Sequence, residues 1–408
     1  MRIQFGRKAL VFCLLFALML GLCPVRAAEE AAEEVFDPEP WESVEALASL
    51  EDVASRVGAA VLMERETGKC LYEHNPHARL APASVTKIMT MLLVCEAMDA
   101  GLFTEESLLT CSAYASQMGG SQIFLREGEQ MSVGDLLKSV AVASANDAAV
   151  VLAEAVAGSE GDFVGKMNEK AAALGMGDTV FSNCTGLPTE GEHLTSAWDI
   201  ALMSRALLDH ERIRAYTGIW TDSVRDGSFG LANTNKLVRF YEGCTGLKTG
   251  FTQEAMYCLS ASAKREGTEY IAVVLHAETS AERFEAAKLL LNHAFANWTL
   301  LNVLPDGALP PVAVTLGREK YLQPVLSGDT KLLLRKEEAA RVQKELTVQE
   351  RVEAPVARGQ ELGRLRVLDG NGSTLLTLPV TAPAAVERLG FGQVFLLCLR
   401  ILIGAAEA

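Results

Sequence analysis

A change of texture at Pro305, Pro310 and Pro311 restricts the fold more than any other feature of this chain. Upstream, apolar residues recur at helical spacing in some stretches and run unbroken at strand length in others. Downstream, short alternating runs at Val312–Leu316, Lys331–Arg335, Leu362–Leu368 and Leu375–Val380 are separated by turn signals such as Asp369-Gly370 and Asn371-Gly372. At 408 residues the chain exceeds one typical domain. The two textures imply an α+β body over residues 48–300 and a small all-β domain over residues 308–383.

Both ends carry their own patterns. Arg2, Arg7 and Lys8 precede an apolar run from Ala9 to Leu22, and small residues follow at Ala27 and Ala28, which is the layout of a secretory signal peptide spanning residues 1–27. The run is shorter than the roughly 20 residues a membrane span needs. Residues 28–47 are acidic, rich in alanine and broken by Pro38 and Pro40, and read as a linker. Residues 386–404 form an apolar tail expected to be a membrane-anchor helix. Phe391, Phe395, Leu399 and Leu402 fall near one face, which favours an interfacial helix over a short span.

Loss of residues 1–27 would move the formal charge from −15 to about −19, which argues against a nucleic-acid partner. The body contains Cys70, Cys95, Cys111, Cys184, Cys244 and Cys258 with no C-x-x-C pair, so buried free thiols are expected, with one disulfide left open.

Within the body, Ala59–Glu64 and Lys69–His74 flank Thr67-Gly68 and read as a β-hairpin. From Ser84 to Met98 the spacing is helical, so Ser84 opens a helix. Residues 132–157 hold two helices broken near Ser144, the first started by Ser132 with Asp135 three residues on. Further helices are expected over 162–174, 195–208 and 281–298, with a turn-rich loop at 181–188 and strands at 247–252, 255–264 and 269–276.

Three short motifs carry the chemistry. Ser84-Val85-Thr86-Lys87 places a hydroxyl in the first turn of a helix and an amine three residues later on the same face. A serine needs a base within hydrogen-bond reach to become a nucleophile, and a lysine of lowered pKa can serve. No other serine in the chain has lysine at that spacing. Ser144-Ala145-Asn146, the one S-x-N, sits where a polar loop can project into a cleft: Ser144 can relay a proton, and the Asn146 amide can hold both Lys87 and a substrate carbonyl. Taken alone, Asn146 or Asp147 reads better as a helix cap. Lys248-Thr249-Gly250 on a strand offers a cation and a hydroxyl for a carboxylate, and a small residue that lets substrate lie along the strand.

Ser84, Ser144 and Lys248 follow in that order, 60 and then 104 residues apart. The trio S-x-x-K, S-x-N and K-T-G resembles that of penicillin-binding proteins and β-lactamases. The stretches Gly120–Leu125, Asn146–Ala149, Phe181–Pro188, Asn233–Leu237 and Gly246–Thr252 narrow the resemblance to the low-molecular-mass penicillin-binding proteins that are D-alanyl-D-alanine carboxypeptidases.

That resemblance implies a penicillin-binding/β-lactamase-like transpeptidase fold, an antiparallel sheet packed with helices, followed by a stalk domain and anchor. It implies a peptidoglycan pentapeptide ending in D-Ala-D-Ala as substrate, β-lactam antibiotics as covalent inhibitors, no cofactor and no metal. Ser84 would attack, Lys87 would act as base, and Ser144 and Asn146 would line the cleft. Lys248 and Thr249 would bind the terminal carboxylate beside Gly250, and the N–H groups of Ser84 and Phe251 would hold the oxyanion. It places the enzyme outside the cytoplasmic membrane, held at its outer face by the C-terminus.

Two departures stand out: Ala145 where relatives have Gly or Asp, and Thr234 where some have Arg, which leaves Lys236 or Lys248 to supply positive charge. A class A β-lactamase is disfavoured because no Glu-x-x-Leu-Asn segment supplies a second base. A metallopeptidase is disfavoured because the six histidines give no H-E-x-x-H. A non-catalytic penicillin sensor is disfavoured by the intact Ser84, Lys87 and Lys248.

Overall fold

The structure is a computed structural model that describes residues 49–402. The expected signal peptide and linker lie outside the described residues, as does the end of the tail from 403 onward. The chain forms two compact units that divide between Ala294 and Phe295.

The first unit opens with α1 (Leu50–Arg56), β1 (Val57–Glu64) and β2 (Cys70–His74). Next come α2 (Lys87–Asp99), α3 (Val133–Ala143), α4 (Asn146–Ala157), α5 (Glu160–Ala173) and α6 (Ala197–Leu207). The chain then returns to the sheet with β3 (Cys244–Thr252), β4 (Met256–Arg265) and β5 (Thr268–Ala277), and α7 (Ser280–Asn297) follows. The five strands make one antiparallel sheet in the order β2-β1-β5-β4-β3. The first hairpin thus ends at one edge of the sheet and β3 forms the other. The central strands β1 and β5 are buried almost throughout, as strands covered on both faces must be, and they read as continuous apolar runs rather than alternating ones.

Helix α2 is buried at every position from Lys87 to Cys95. A helix apolar all round belongs inside a domain, and α2 packs against α3, α4, α5 and α6. That central seat puts the residues at its N-terminal end deep in the molecule. Ser132 caps α3, its hydroxyl accepting from Asp135 N at 3.1 Å, a contact worth about 1 kcal/mol.

The second unit is mainly β, followed by a helix at its C-terminal end. Its main strands are β6 (Trp298–Asn302), β7 (Val312–Thr315), β8 (Lys331–Arg335), β9 (Gln343–Val348), β10 (Glu361–Leu368) and β11 (Thr374–Thr381). β9, β10 and β11 form an antiparallel meander, and β6 pairs with β8.

Two expectations change at the margins of this unit. Trp298 begins a strand rather than ending α7, and that strand finds its partner at Lys331–Arg335. Val386, expected in the tail, is buried in the β core with Val312 and Leu362 and bridges to Val356, so the β unit continues beyond Pro383. The tail helix α8 (Phe391–Leu402) therefore starts later than expected. It exposes Phe391, Phe395, Leu396, Leu399 and Leu402. Among the described residues, no helix is long and apolar enough to cross a membrane.

Candidate active site

The N-terminal approach to α2 is a single 3₁₀ turn, Ala83–Thr86, rather than α-helix from its first residue. In a 3₁₀ turn side chains three apart eclipse, and Lys87 Nζ donates to Ser84 Oγ at 2.8 Å. The same Nζ reaches Ser144 Oγ at 3.3 Å and the carbonyl of Thr185 at 2.9 Å. Ser84 is 6% exposed and Lys87 is fully buried. Ala83, just before the nucleophile candidate, takes a φ of +47°, and Ser144, at the end of α3, takes +61°. Left-handed backbone at a non-glycine residue costs roughly 1 kcal/mol or more and persists where the surroundings impose it. Here the strained Ser144 and the residue that follows the strained Ala83, Ser84, both present a hydroxyl to the same lysine.

Asn146 begins α4 and is wholly buried. Its Nδ2 donates to Gly119 O at 2.8 Å, while its Oδ1 has no hydrogen-bond partner. The cap that this position suggests when taken alone does not form, since no side chain caps α4. The neighbouring Asp147 instead accepts from Ile123 N at 3.2 Å and Leu125 N at 2.9 Å. These bonds pin the segment that carries Ser121 into the cleft wall, which is lined by Ser84, Ser121, Ser144, Thr234, Thr249, Gly250 and Phe251.

Strand β3 forms the opposite wall. A Cβ on Gly250 would lie 2.7 Å from Pro82 O and 3.0 Å from Ser84 N, so glycine is required for the strand to press against the Ser84 turn, more than for room to admit substrate. Thr249 Oγ1 donates to Thr234 Oγ1 at 2.6 Å, so the two hydroxyls line the cleft side by side. Lys248 is 1% exposed, donates to Thr249 O at 2.9 Å and stands behind the wall rather than among its lining residues. The fully buried Arg283 of α7 donates to Gly250 O at 3.2 Å, on the far side of the peptide whose N–H is that of Phe251.

This arrangement supplies a hydroxyl with an amine in contact, a second hydroxyl on that amine, and a strand edge with a hydroxyl pair beside a buried cation. It fits attack on a carbonyl with transfer of the hydroxyl proton to a fixed base.

Comparison with known proteins agrees. The D-alanyl-D-alanine carboxypeptidase family matches residues 45–279, and the C-terminal domain of penicillin-binding protein 5 matches residues 302–388. D-alanyl-D-alanine carboxypeptidase DacF of Bacillus subtilis is 44% identical over 345 residues, covering 83% of this chain and 88% of its own. The chain belongs to the D-alanyl-D-alanine carboxypeptidase family. It is a serine-type carboxypeptidase with the expected penicillin-binding-protein fold.

Penicillin-binding protein 5 of Haemophilus influenzae superposes with a TM-score of 0.68 at 27% identity, covering 82% of this carboxypeptidase and 98% of that chain. Penicillin-binding protein D2 of Listeria monocytogenes, solved in its ampicillin-bound form, gives 0.52 at 34% identity, with 59% and 97% covered.

The structure also shows groups in this carboxypeptidase that its motifs do not announce. Residues 182–187 reach α2 through backbone carbonyls: Thr185 O meets Lys87, and Cys184 O accepts from Thr90 Oγ1 at 2.6 Å. Gly186 lies against the Ser84 turn so closely that a Cβ would sit 1.9 Å from Ala83 O. Asn183 Oδ1 gathers the N–H groups of Thr185 and Gly186, which stiffens the loop. His193 joins Thr86 to Ser182, and its burial lowers the imidazole pKa to about 4. Its position in a polar segment just before the cap of α6 was the available sequence signal. The six body cysteines form no disulfide with one another.

Proposed function

We propose that Ser84 is the nucleophile and Lys87 its base in removing the terminal D-alanine from peptidoglycan pentapeptide stems. The carrying observation is the lysine amine shared between Ser84 Oγ and Ser144 Oγ in a buried setting. Ser84 Oγ attacks the carbonyl carbon of the penultimate D-alanine while neutral Lys87 Nζ takes its proton. The oxyanion forms between the backbone N–H groups of Ser84 and Phe251, where oriented donors stabilise developing charge most. The proton passes by way of Ser144 Oγ to the leaving nitrogen, the C–N bond breaks, and D-alanine departs from an ester on Ser84. Water then attacks that ester, gives one proton to Lys87, and the returning proton restores Ser84.

Thr249, with Thr234 beside it, receives the terminal carboxylate, and Lys248 contributes positive charge from behind the strand. Gly250 keeps β3 against the nucleophile. The unpartnered Oδ1 of Asn146 is the acceptor left for the lysine or a substrate amide. Penicillin enters the same cleft and leaves Ser84 acylated. The first 27 residues direct export, and the exposed apolar side chains of α8 hold the enzyme at the outer membrane face.

Incubation of the purified enzyme with a pentapeptide ending in D-Ala-D-Ala, and separately with labelled penicillin, tests the assignment. Wild type releases D-alanine and carries the label, and Ser84→Ala does neither. Label retained by Ser84→Ala would place the nucleophile elsewhere. Deleting residues 385–408 should free the protein from membranes, and retention would refute the tail as anchor.

A further inference from the structure

Among the six histidines, His193 alone is buried. Its two ring nitrogens face different parts of the site. Nδ1 lies 3.1 Å from the backbone N–H of Ser182, a group that only donates, so Nδ1 accepts and the ring proton sits on Nε2. Nε2–H then donates to Thr86 Oγ1 at 2.7 Å. Thr86 is fully buried and stands between Ser84 and Lys87 in the catalytic turn. Ser182 opens the loop whose carbonyls reach Lys87 and Thr90. Phe181 closes over the imidazole, with ring centroids 5.8 Å apart.

The loop is stiff within itself, because Asn183 Oδ1 ties its backbone together, so its attachments decide where it sits as a body. Lys87 exchanges partners during catalysis and cannot serve as a permanent anchor. The Thr90 contact fixes one point. The second fixed side-chain link to the catalytic helix is the one through His193.

We propose that His193 is a positioning residue, a neutral imidazole strut that clamps the 182–186 loop to the Ser84–Lys87 turn and so sets where Thr185 O meets the lysine. The proposal rests on the assignment of Ser84 and Lys87 given above. Its chemistry is a fixed tautomer, with the proton on Nε2 dictated by a backbone donor. Protonating the ring would turn a second N–H against Ser182 N–H, and burial opposes the charge as well.

The test combines the acylation rate of Ser84 by a fluorescent penicillin with thermal unfolding of the same preparations. His193→Asn keeps an acceptor where Nδ1 stood but loses the donor to Thr86. His193→Gln keeps the donor but loses the acceptor. A strut cut at either end is cut, so both variants should acylate about as slowly as His193→Ala. The expected loss is on the order of 100-fold, the scale of a small misplacement at a reacting centre. Nitrogen-15 spectra of the wild-type ring should show the proton on Nε2.

Four results would overturn the strut. They are an unchanged rate in His193→Ala, Asn and Gln losses that add up to the Ala loss as independent packing terms would, a rate that falls only with the unfolded fraction, or a proton on Nδ1. Wild type that takes no label at Ser84 would instead overturn the nucleophile assignment on which the strut depends.

Discussion

The unit ending at Ala294 keeps Lys87, Lys248, Arg283, Asn146 and Asp147 almost wholly out of water, whereas the unit after it keeps its charges outside. Among the described residues of the second unit, Thr381 is the one buried polar side chain. Its ion pairs, such as Arg366–Glu345 and Arg388–Glu353, leave both partners about half exposed. The difference has an energetic meaning. A buried polar group is held by particular partners, and removing one leaves the other desolvated and unpaired. An exposed pair gives its partners back to water at little cost. Substitutions in the first unit should therefore act on chemistry by orders of magnitude, and those in the second should act on stability by tenths of a kilocalorie.

Lys87→Arg probes that contrast most severely. Arginine keeps a long nitrogen-bearing side chain but stays protonated at any working pH, so it cannot accept the serine proton. D-alanine release should fall by about a thousandfold or more, measured on protein whose unfolding midpoint is also recorded. Retention of even a tenth of the activity would mean that the base is another group.

Gly250→Ala comes next. The added methyl would lie within 3.0 Å of Pro82 O, Ser84 N and Val85 N, all backbone atoms that cannot swing aside. We expect about 100-fold slower acylation, since the oxyanion donor at Ser84 is displaced, and roughly 1–3 kcal/mol of destabilisation from overpacking. Normal acylation would show that β3 has slack against the turn.

These two residues were legible in the sequence because each belongs to a local pattern: Ser84 and Lys87 share one turn, and Gly250 follows Lys248 and Thr249 on one strand. The groups that went unread act at long range or through atoms every residue has. Thr185 meets Lys87 by its backbone carbonyl, so its side chain gives no sign of the contact. Arg283 reaches Gly250 O from 33 positions away, and His193 reaches Thr86 from 107.

The helices over 84–98, 132–157 and 195–208 were readable from apolar periodicity, and the start of the second also from its cap at Ser132. The end of α7 was not, because Trp298, Leu300 and Leu301 continue an apolar pattern whose change to strand is imposed by a partner at Lys331–Arg335. Val386 looked like tail for a similar reason: the Val312 and Leu362 core that buries it is distant in the sequence.

A smaller effect, on stability and pH, separates the units again. The His193 ring takes up a proton near pH 6.5 when unfolded but only near pH 4 when folded. Between those values the unfolded chain binds more protons, so the stability from this ring is full above about pH 6.5 and is lost as pH falls toward about 4. The loss approaches about 3 kcal/mol and then levels off. The second unit contains no histidine, so this window belongs to the first. Denaturant unfolding at pH 7 and 4.5 should show a drop in wild type that is smaller in His193→Gln. Equal drops in the two proteins would mean that carboxylates alone set the acid limb.

The smallest effect is expected at Arg366–Glu345, which spans the β9–β10 pair at 3.1 Å with its side chains 48% and 54% exposed. Arg366 also donates to Thr374 Oγ1 at 3.0 Å, so its guanidinium has a second partner to fall back on. Glu345→Ala should cost about 0.5 kcal/mol or less in low salt and nearly nothing in 0.5 M salt, where exposed charges are screened. D-alanine release should not change at all. A loss above about 2 kcal/mol, or one indifferent to salt, would show that this pair is shielded from water, and the contrast between the two units would then fail at the point where it is most easily checked.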